Sequence, residues 1–576
     1  MLGGTAILAG CGGDDGSDPA PGASPLAPPA PSPSPTSGAS LDFDIVIYGS
    51  GVGGLMALVR AAHRRGKRVC MIEPRPQFGG MHAAGLSFVD STTAPERDIV
   101  GGDTDEVYFA RILQAAGRGG NKYAFAPRIA QTVAEDLISA YSAHSMRDAP
   151  IDGAGVVVMG TGPNGPQIQA IRTSAGLVTG RVFIDASYEG DLMAGALGPS
   201  GYTYGRESAA TYGEAYAGFL GGFEQHFVGS TFRNYSGAEP RPAIGYPYNR
   251  ADPRQRLGDA DDRVQSFNFR LPLTRTASNR LPFPKPVGYD PRLFITQLQL
   301  WSSYGKTRFC RDLSASSLGF QADLGGGKVN WNDADLVNGN IGYADGTWAT
   351  RRRIVDEHVL WQQGLFWCLA NDPVTRENGL GALQDDLNDV AGGGANAAGL
   401  CADEFIGSPY GTGWPWWVYQ REGRRLNAIY MMTASDLLAG GRLNKSTSVG
   451  KWAYFWDIHW IQGYIPLLPG SSSAYYSDRI ILEGIPAIRQ GSTGTYQIPV
   501  ECMLPRASTC ANLIVPVCAG FSHVAWSAQR LEIPQGFCGE AAGELAAWMI
   551  DNPGRAVQQF DYVALRTRLT QFGSNL

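Results

Sequence analysis

The stretch that decides the fold reads Phe43-Asp44-Ile45-Val46-Ile47-Tyr48, followed at once by Gly49-Ser50-Gly51-Val52-Gly53-Gly54. The first half is short, apolar and β-branched, which predicts a buried β-strand. The second half is a G-x-G-x-x-G motif, and residues 53–65 after it have helical character. Val69-Cys70-Met71-Ile72 predicts a second buried strand, which Glu73 ends. The order strand, glycines, helix, strand and acid predicts a βαβ unit that binds a dinucleotide.

Each part of this motif has a physical role. Gly49 permits the sharp turn, Gly51 lets the backbone approach a pyrophosphate, and Gly54 lets the helix pack tightly on the sheet. The helix begins at Gly53, and its free N–H groups face the phosphates. Glu73 stands 24 residues after Gly49, where an acid hydrogen-bonds a ribose hydroxyl. We therefore expect all five residues to bind the cofactor.

A second glycine-rich stretch identifies a family resemblance. Residues 78–86 read Phe-Gly-Gly-Met-His-Ala-Ala-Gly-Leu and resemble the corresponding stretch of bacterial FAD-dependent oxidoreductases, often loosely labelled xanthan-lyase-like. Residues 182–191, 421–425 and 498–543 resemble three further motifs of that family. The resemblance extends from residue 43 to about 550 and is weak over 210–400. It implies an α/β fold with a discontinuous, glutathione-reductase-like Rossmann domain for FAD and an inserted, aromatic-rich substrate domain.

The resemblance also implies further cofactor contacts. They are Gly79, Gly80, Met81, His82, Asp185, Gly539 and Ala542. His82 either lines the cofactor or bonds covalently to the flavin 8α-methyl group, and the family more usually has a small hydroxyl residue there. The helix predicted over 534–550 carries small residues, which suit either a close approach to the flat flavin ring or plain helix packing.

The domain organisation follows from composition and from the motifs. We predict a lipoprotein-type signal over 1–11, a disordered Pro/Gly/Ser linker over 12–40, and a C-terminal segment over 553–576. The FAD-binding domain comprises 41–200 plus 495–552, and 201–494 form the substrate or cap region.

The N-terminus predicts the location of the protein. Residues 2–10 are small and apolar, and Cys11 follows Leu8-Ala9-Gly10 as in a bacterial lipoprotein signal. The alternative is an unstructured start with a chance cysteine. The first interpretation predicts a lipid anchor at Cys11, a place in the bacterial cell envelope facing the periplasm or the exterior, and a spacer that holds the globular part off the membrane. Beyond it the sequence predicts no transmembrane helix.

Charge and cysteine usage exclude other classes of site. The net charge is −6, from 47 Lys and Arg against 53 Asp and Glu, so we expect no nucleic-acid partner. The nine cysteines contain no C-x-x-C pair, so we expect no metal site. Cys502 and Cys510 either pair across a turn or are buried free thiols.

Four residues are candidates for the chemistry. His459 lies in an Asp-Ile-His sequence, where Asp457 would orient it if the chain turns, and His523 follows the last predicted strand of the FAD domain. Either is a candidate base. Arg424 and Arg530 lie in family-like motifs and are candidate cations for a substrate carboxylate or a reduced flavin. Several Trp and Tyr residues between 410 and 460 either line a pocket or form an aromatic core.

Together these features predict an exported FAD-dependent dehydrogenase or oxidase. A small organic substrate, such as a sugar, an alcohol or an aromatic compound, would give a hydride to the flavin while a histidine takes a proton. The electrons would pass to oxygen, a quinone or a cytochrome. Two alternatives stay open, a carbohydrate-active lyase-like protein and a non-catalytic flavin-binding or electron-relay module.

Overall fold

A computed structural model of the chain describes residues 40–89, 99–117, 121–221, 249–250, 256–303, 305–309, 317–318, 324–388, 397–438, 444–465, 481–488 and 494–576. The predicted signal and the body of the linker, residues 1–39, lie outside these ranges. The strands, in chain order, are β1 (Leu41–Tyr48), β2 (Val69–Ile72), β3 (His144–Met146), β4 (Val157–Gly162), β5 (Gly165–Thr173), β6 (Gly176–Asp185), β7 (Tyr202–Thr203), β8 (Asn249–Arg250), β9 (Leu271–Thr274), β10 (Arg280–Leu281), β11 (Arg308–Phe309), β12 (Ser317–Leu318), β13 (Lys328–Trp331), β14 (Gly399–Cys401), β15 (Arg425–Leu426), β16 (Ser448–Trp452), β17 (Trp456–Ile465), β18 (Ile481–Ile488), β19 (Tyr496–Pro499) and β20 (Leu513–Ile514). The helices are α1 (Val52–Leu58), α2 (Gly80–Ala83), α3 (Ala110–Ala115), α4 (Pro127–Tyr141), α5 (Asp191–Leu197), α6 (Ala209–Tyr212), α7 (Ile295–Ser303), α8 (Trp348–Asn371), α9 (Pro373–Glu377), α10 (Gly381–Leu387), α11 (Ala434–Leu437), α12 (His523–Gln529), α13 (Glu532–Asp551) and α14 (Tyr562–Gln571).

The main sheet has the order β3-β2-β1-β6-β5-β4. β1 is parallel to both β2 and β6, and β2 is parallel to β3. The N-terminal half of β6 pairs antiparallel with β5, and its C-terminal end pairs parallel with β20. β2 and the last four residues of β1 are continuous buried apolar runs, as expected for strands that are covered on both faces. The predicted α/β fold with a βαβ opening is confirmed.

The sequence predicts short strands over 155–158, 167–172, 182–186 and 513–517, and the observed bounds of β4, β5, β6 and β20 all differ from these. β6 begins at Gly176 rather than at residue 182, because its first residues pair with β5. β3 was not predicted: it has three residues and reads His-Ser-Met, so it has neither the length nor the apolar run of a recognisable strand. Pairing with β2 makes it a strand.

α1 and α13 pack closely behind this sheet. A Cβ at Gly539 would clash with the Gly53 carbonyl oxygen, and one at Gly543 would lie 2.5 Å from the Ala57 carbonyl oxygen. The small residues of α13 therefore allow it to approach α1. Beside this contact, the buried Arg60 bonds to Glu540 at 2.5 Å.

The inserted region has its own core. It surrounds the antiparallel sheet β10-β14-β9-β13 and the long helix α8. The tryptophans considered as pocket residues are divided between cores: Trp414 and Trp417 lie in this one, while Trp452 and Trp456 lie in the core that contains α1 and α13. These four side chains are buried, which supports the core interpretation for them.

Cys502 and Cys510 are both buried free thiols, which decides between the two alternatives left open for them. Of the helices in the described ranges, none is both long and apolar enough to cross a membrane.

Candidate active site

The turn between β1 and α1 leaves no room for side chains. Gly49 has φ +103°, and a Cβ there would lie 2.5 Å from the backbone of Ala186 and Ser187. A Cβ at Gly54 would clash with the Gly49 carbonyl oxygen. Gly53 packs against Val517, 2.8 Å from where its Cβ would stand. These contacts hold the N-terminus of α1 at the carboxyl end of β1, where α/β sheets bind phosphates.

Gly51 and Gly80 pack directly against each other and against Tyr188, since a Cβ at Gly80 would lie 2.6 Å from the Gly51 Cα. A Cβ at Gly51 would lie 2.5 Å from the Tyr188 Oη, and one at Gly80 would lie 2.6 Å from the same oxygen. The Met81 N–H donates to this oxygen at 3.2 Å, and the hydroxyl donates to the Glu532 carboxylate at 2.9 Å. Burial raises the pKa of Glu532 to about 7. The junction of the two glycine loops, which we call the cleft, is thus closed by Tyr188 and bounded by the first residue of α13.

Glu73 lies at the end of β2, buried beside this cleft. Its carboxylate accepts bonds from the Ser50 N–H at 2.8 Å, the Ser50 hydroxyl at 2.5 Å and the Arg75 N–H at 3.0 Å. The Ser50 hydroxyl oxygen accepts a bond from the Gly79 N–H at 3.1 Å. Burial raises the pKa of Glu73. One acid therefore joins the first glycine loop to the second.

His82 follows the second glycine loop on α2 and is fully buried. Its Nδ1 lies 2.8 Å from the Tyr108 hydroxyl, and Phe125 packs edge-on to its ring at 5.0 Å. Its Nε2 is buried and has no hydrogen-bond partner in the part of the chain that the structure describes. Burial lowers the pKa of His82 to about 3, so the imidazole is neutral.

The carboxylate of Asp185, at the end of β6, is hydrogen-bonded to the turn and helix that follow it. Its Oδ1 accepts bonds from the Ser187 N–H and hydroxyl, and its Oδ2 accepts one from the Met193 N–H at 2.7 Å. Burial raises its pKa to about 7. Ala542 is buried in the same core as α1. Like Gly539, it is placed in the packing behind the cleft.

His459 is held between two carboxylates. Its Nδ1 lies 2.8 Å from Asp335 Oδ2, and its Nε2 lies 3.4 Å from Asp457 Oδ2. Asp457 and His459 are two residues apart on β17, so an extended strand, rather than the turn we expected, puts both on one face. The side chain of His459 is 23% exposed.

Cations neutralise both carboxylates. Burial by itself would raise the pKa of Asp335, but Arg421, 2.8 Å away, and His459 outweigh it and hold the pKa well below the usual range. Asp457 behaves alike: burial is outweighed by His459 and by Arg530, whose guanidinium lies 2.7 Å from its carboxylate. Both acids are therefore ionised.

Arg530 connects this cluster to the glycine loops. Its Nη1 donates to the Tyr419 hydroxyl at 3.0 Å, and Tyr419 packs against Met81 and Leu86. Arg530 also lies two residues before Glu532, which reaches the cleft through Tyr188. The structure thus brings the predicted His459 and Arg530 together beside the predicted cofactor residues.

His523 and Arg424 lie elsewhere. His523 is fully buried, its Nδ1 2.9 Å from Glu422, and its own N–H donates to Glu207. Arg424 pairs with Asp191 at 2.6 Å and with Asp345 at 2.8 Å. Neither side chain belongs to the cluster around His459.

Sequence reasoning missed several residues of this site. Asp335 and Arg270 lie in the weakly matched middle of the chain, where no motif marks them. Asp457 was considered only as a residue that would orient His459. Its i, i+2 spacing from His459, read as a strand, would have placed both side chains on one face. Within the described ranges no group of three or more His, Cys, Asp or Glu side chains is arranged to hold a metal ion.

The chain is similar to known flavoproteins. The model of the family described as FAD dependent oxidoreductase matches residues 44–569. An oxidized steroid monooxygenase bound to NADP is 18% identical, covering 26% of each chain with a TM-score of 0.19. The thioredoxin reductase of T. acidophilum is 20% identical over 30% of this chain and 41% of its own, with a TM-score of 0.16. The chain therefore spans well under half the length of either structure. No curated protein matches it.

Proposed function

The chain belongs to the family of FAD-dependent oxidoreductases, and we propose that it is a dehydrogenase or oxidase in which His459 handles the proton of a small organic substrate. FAD is the cofactor of this family. The substrate we propose is a sugar, an alcohol or an aromatic compound, and the electron acceptor is oxygen, a quinone or a cytochrome.

The residues present fit FAD. At the cleft, Gly51 and Gly80 leave no room for a Cβ, and the N-terminus of α1 lies beside them. Gly51, the N-cap of α1, places no side-chain cap over the first N–H groups of the helix. These groups would hold the phosphates, and Glu73 would hold the ribose. When bound, FAD supplies the two-electron redox chemistry.

The observation that carries the proposal is the position of His459. Asp335 fixes its Nδ1, which leaves Nε2 as the nitrogen that exchanges a proton with the substrate. Nε2 lies 3.4 Å from Asp457, a longer contact than the 2.8 Å between Nδ1 and Asp335, so Nε2 is the more available of the two ring nitrogens. Arg530 holds Asp457 in place, and partial exposure gives a substrate access to the ring.

Accessibility favours His459 over His523 as the base. His523 has no solvent-exposed surface and its Nδ1 is bound to Glu422. A substrate would have to displace packed residues of α12 to reach it. We therefore assign His523 a structural role at the start of this helix.

The absorption spectrum of the purified full chain tests the cofactor, and anaerobic titration with sugars, alcohols and aromatic compounds tests the reaction. We expect a flavin spectrum that one of these classes bleaches. His459→Gln should keep the flavin but slow bleaching by about 10²–10⁴-fold, the usual contribution of a general base. His63→Gln, on the surface near Tyr141, is the matched control and should bleach like the wild type.

Three outcomes contradict the proposal. A protein that takes up no FAD would refute the whole proposal. A flavin-loaded protein in which His459→Gln bleaches as fast as the wild type would remove His459 as the base. Bound flavin that no substrate class reduces would favour the non-catalytic module.

We further propose that the protein is exported and anchored in the cell envelope by a lipid on Cys11. The support is the apolar stretch before Cys11 and the Pro-rich spacer after it. Expressed in a bacterium, the wild type should fractionate with membranes and Cys11→Ser should not. Equal partitioning of both forms would contradict the anchor.

A further inference from the structure

Arg270 is a buried guanidinium that forms no ion pair within the described ranges, although its charge helps to lower the pKa of Asp335. It is 6% exposed, and its Nε is buried without a hydrogen bond. Of the nine arginines buried in the described part of the chain, it alone has no carboxylate partner. A buried charge without a partner is costly, so proteins rarely keep one without a use for it.

Arg270 lies in a group of three arginines around one phenol. Its guanidinium carbon is 4.4 Å from the centre of the Tyr419 ring, and that of Arg421 is 5.2 Å from the same centre. Arg530 donates to the Tyr419 hydroxyl at 3.0 Å. Burial lowers the pKa of Arg421 to about 10, and the charges of Arg270 and Arg530 add to this effect although Asp335 opposes it.

The charges of the group do not balance. Asp335 pairs with Arg421 and Asp457 pairs with Arg530. Both acids also face His459, and no acid pairs with Arg270 among the described residues. With His459 neutral, as its role as a base requires, one positive charge is therefore left over among the described residues of the group, which matches a single negative charge on a ligand.

This excess charge lies at the cofactor side of the site. The backbone of Arg270 touches the second glycine loop, because a Cβ at Gly85 would clash with the Arg270 carbonyl oxygen. Tyr419, on which Arg270 stacks, packs against Met81 and Leu86 of the same segment. His459 reaches the group through Asp335, which also pairs with Arg421.

We propose that Arg270, supported by Arg421 and Arg530, is the anion subsite of the active site, and that the substrate carries a carboxylate which Arg270 binds. The inference rests on the proposed function, because it names the substrate class of that same site. A guanidinium offers two parallel N–H donors that match a carboxylate. A phosphate carries more negative charge than the one unpaired cation balances, so a carboxylate fits better.

The test measures binding of benzoate and of its neutral analogue benzamide to the FAD-loaded protein by titration calorimetry. We expect benzoate to bind at least tenfold more tightly than benzamide. Arg270→Met should lose this preference while its flavin content stays unchanged. Arg352→Met, which removes an exposed arginine paired with Asp148, is the matched control and should keep the preference.

A second variant guards against misfolding. Arg270→Lys keeps the charge and loses the planar fork, so its affinity for benzoate should fall between those of the wild type and Arg270→Met. Wild-type affinity in both Arg270 variants, or equal affinity of the wild type for benzoate and benzamide, would overturn the subsite. Tighter binding of inorganic phosphate than of benzoate would overturn the choice of a carboxylate.

The flavin spectrum distinguishes a failure of the anion subsite from a failure of the proposed function. It is recorded before any anion is added. A protein without flavin refutes the proposed function, whereas a flavin-loaded protein that does not prefer benzoate refutes only the subsite.

Discussion

Two glycines of one motif should fail in different ways when each is replaced by alanine. A Cβ at Gly54 would clash with a backbone atom, the carbonyl oxygen of Gly49. The two atoms would be about 1.5 Å closer than in an ordinary van der Waals contact. A Cβ at Gly51 would meet the far end of one side chain, with Tyr188 Oη at 2.5 Å and Cζ at 2.9 Å. Backbone in a tight turn cannot move by that amount cheaply, whereas a phenol can rotate away.

The difference sets the expected magnitudes. Gly54→Ala should cost about 3 kcal/mol of folding stability, at the upper end of overpacking, which corresponds to a fall in Tm of roughly 6–12 °C. Gly51→Ala should cost no more than about 1 kcal/mol, mainly because alanine is a poorer N-cap than glycine. Its methyl group should instead occupy the space of the pyrophosphate and weaken FAD binding at least tenfold, about 1.4 kcal/mol.

The assay is a thermal melt of each variant with and without FAD, together with a titration of apoprotein by flavin fluorescence. Gly381→Ala is the control, since its nearest neighbour is the flexible end of Arg376 at 3.2 Å and it begins α10. It should bind FAD normally and melt no lower than the wild type. Normal FAD affinity in Gly51→Ala would refute the placement of the phosphates, and an unchanged melt in Gly54→Ala would refute the packing of the turn.

Further predictions concern buried groups. Burial raises the folded-state pKa of Glu532 from 4.5 to about 7, so between these pH values the folded state binds more protons at this group than the unfolded state. The contribution of Glu532 to folding stability therefore falls as the pH rises from 4.5 to about 7. Glu532→Gln should flatten that part of a Tm–pH profile, and an unchanged slope would contradict the burial of this carboxyl group. His82→Leu leaves the Tyr108 hydroxyl unpaired and should cost about 1–3 kcal/mol in a denaturant titration; if acid releases flavin from the variant but not from the wild type, the flavin is bonded to His82. Cys502 and Cys510 should react with a thiol reagent only after denaturation, and a mass corresponding to a Cys502–Cys510 disulfide would contradict their free state.

The sequence by itself determined the nucleotide-binding unit, because its causes are local. Residues 43–54 contain an apolar strand, a turn that only glycine can form and the start of a helix, and these neighbours in the chain are neighbours in space. The clash of a Gly54 Cβ with Gly49, five residues earlier, shows how short the range of that constraint is. The family motifs then identified the predicted dinucleotide as FAD.

The tertiary structure alone decided which of the polar residues meet. His459 and Asp335 are 124 residues apart, and Arg530 reaches Asp457 across 73 residues. Sequence reasoning weighed His459 and His523 equally, since both lie near family-like motifs. Their difference in exposure comes from how α12 and β17 pack, and no local pattern encodes it.

Arg270 shows the same limit most clearly. In the sequence it is one arginine in a region without motifs, and a lone arginine most often lies on the surface. Folding buries it against Tyr419, while the two described acids of the group, Asp335 and Asp457, pair with Arg421 and Arg530. Whether a charge is paired depends on distances between residues far apart in the chain, so the sequence is enough to predict the local turn over residues 49–54, but only the packed fold determines which buried cation has no acidic partner among the described residues.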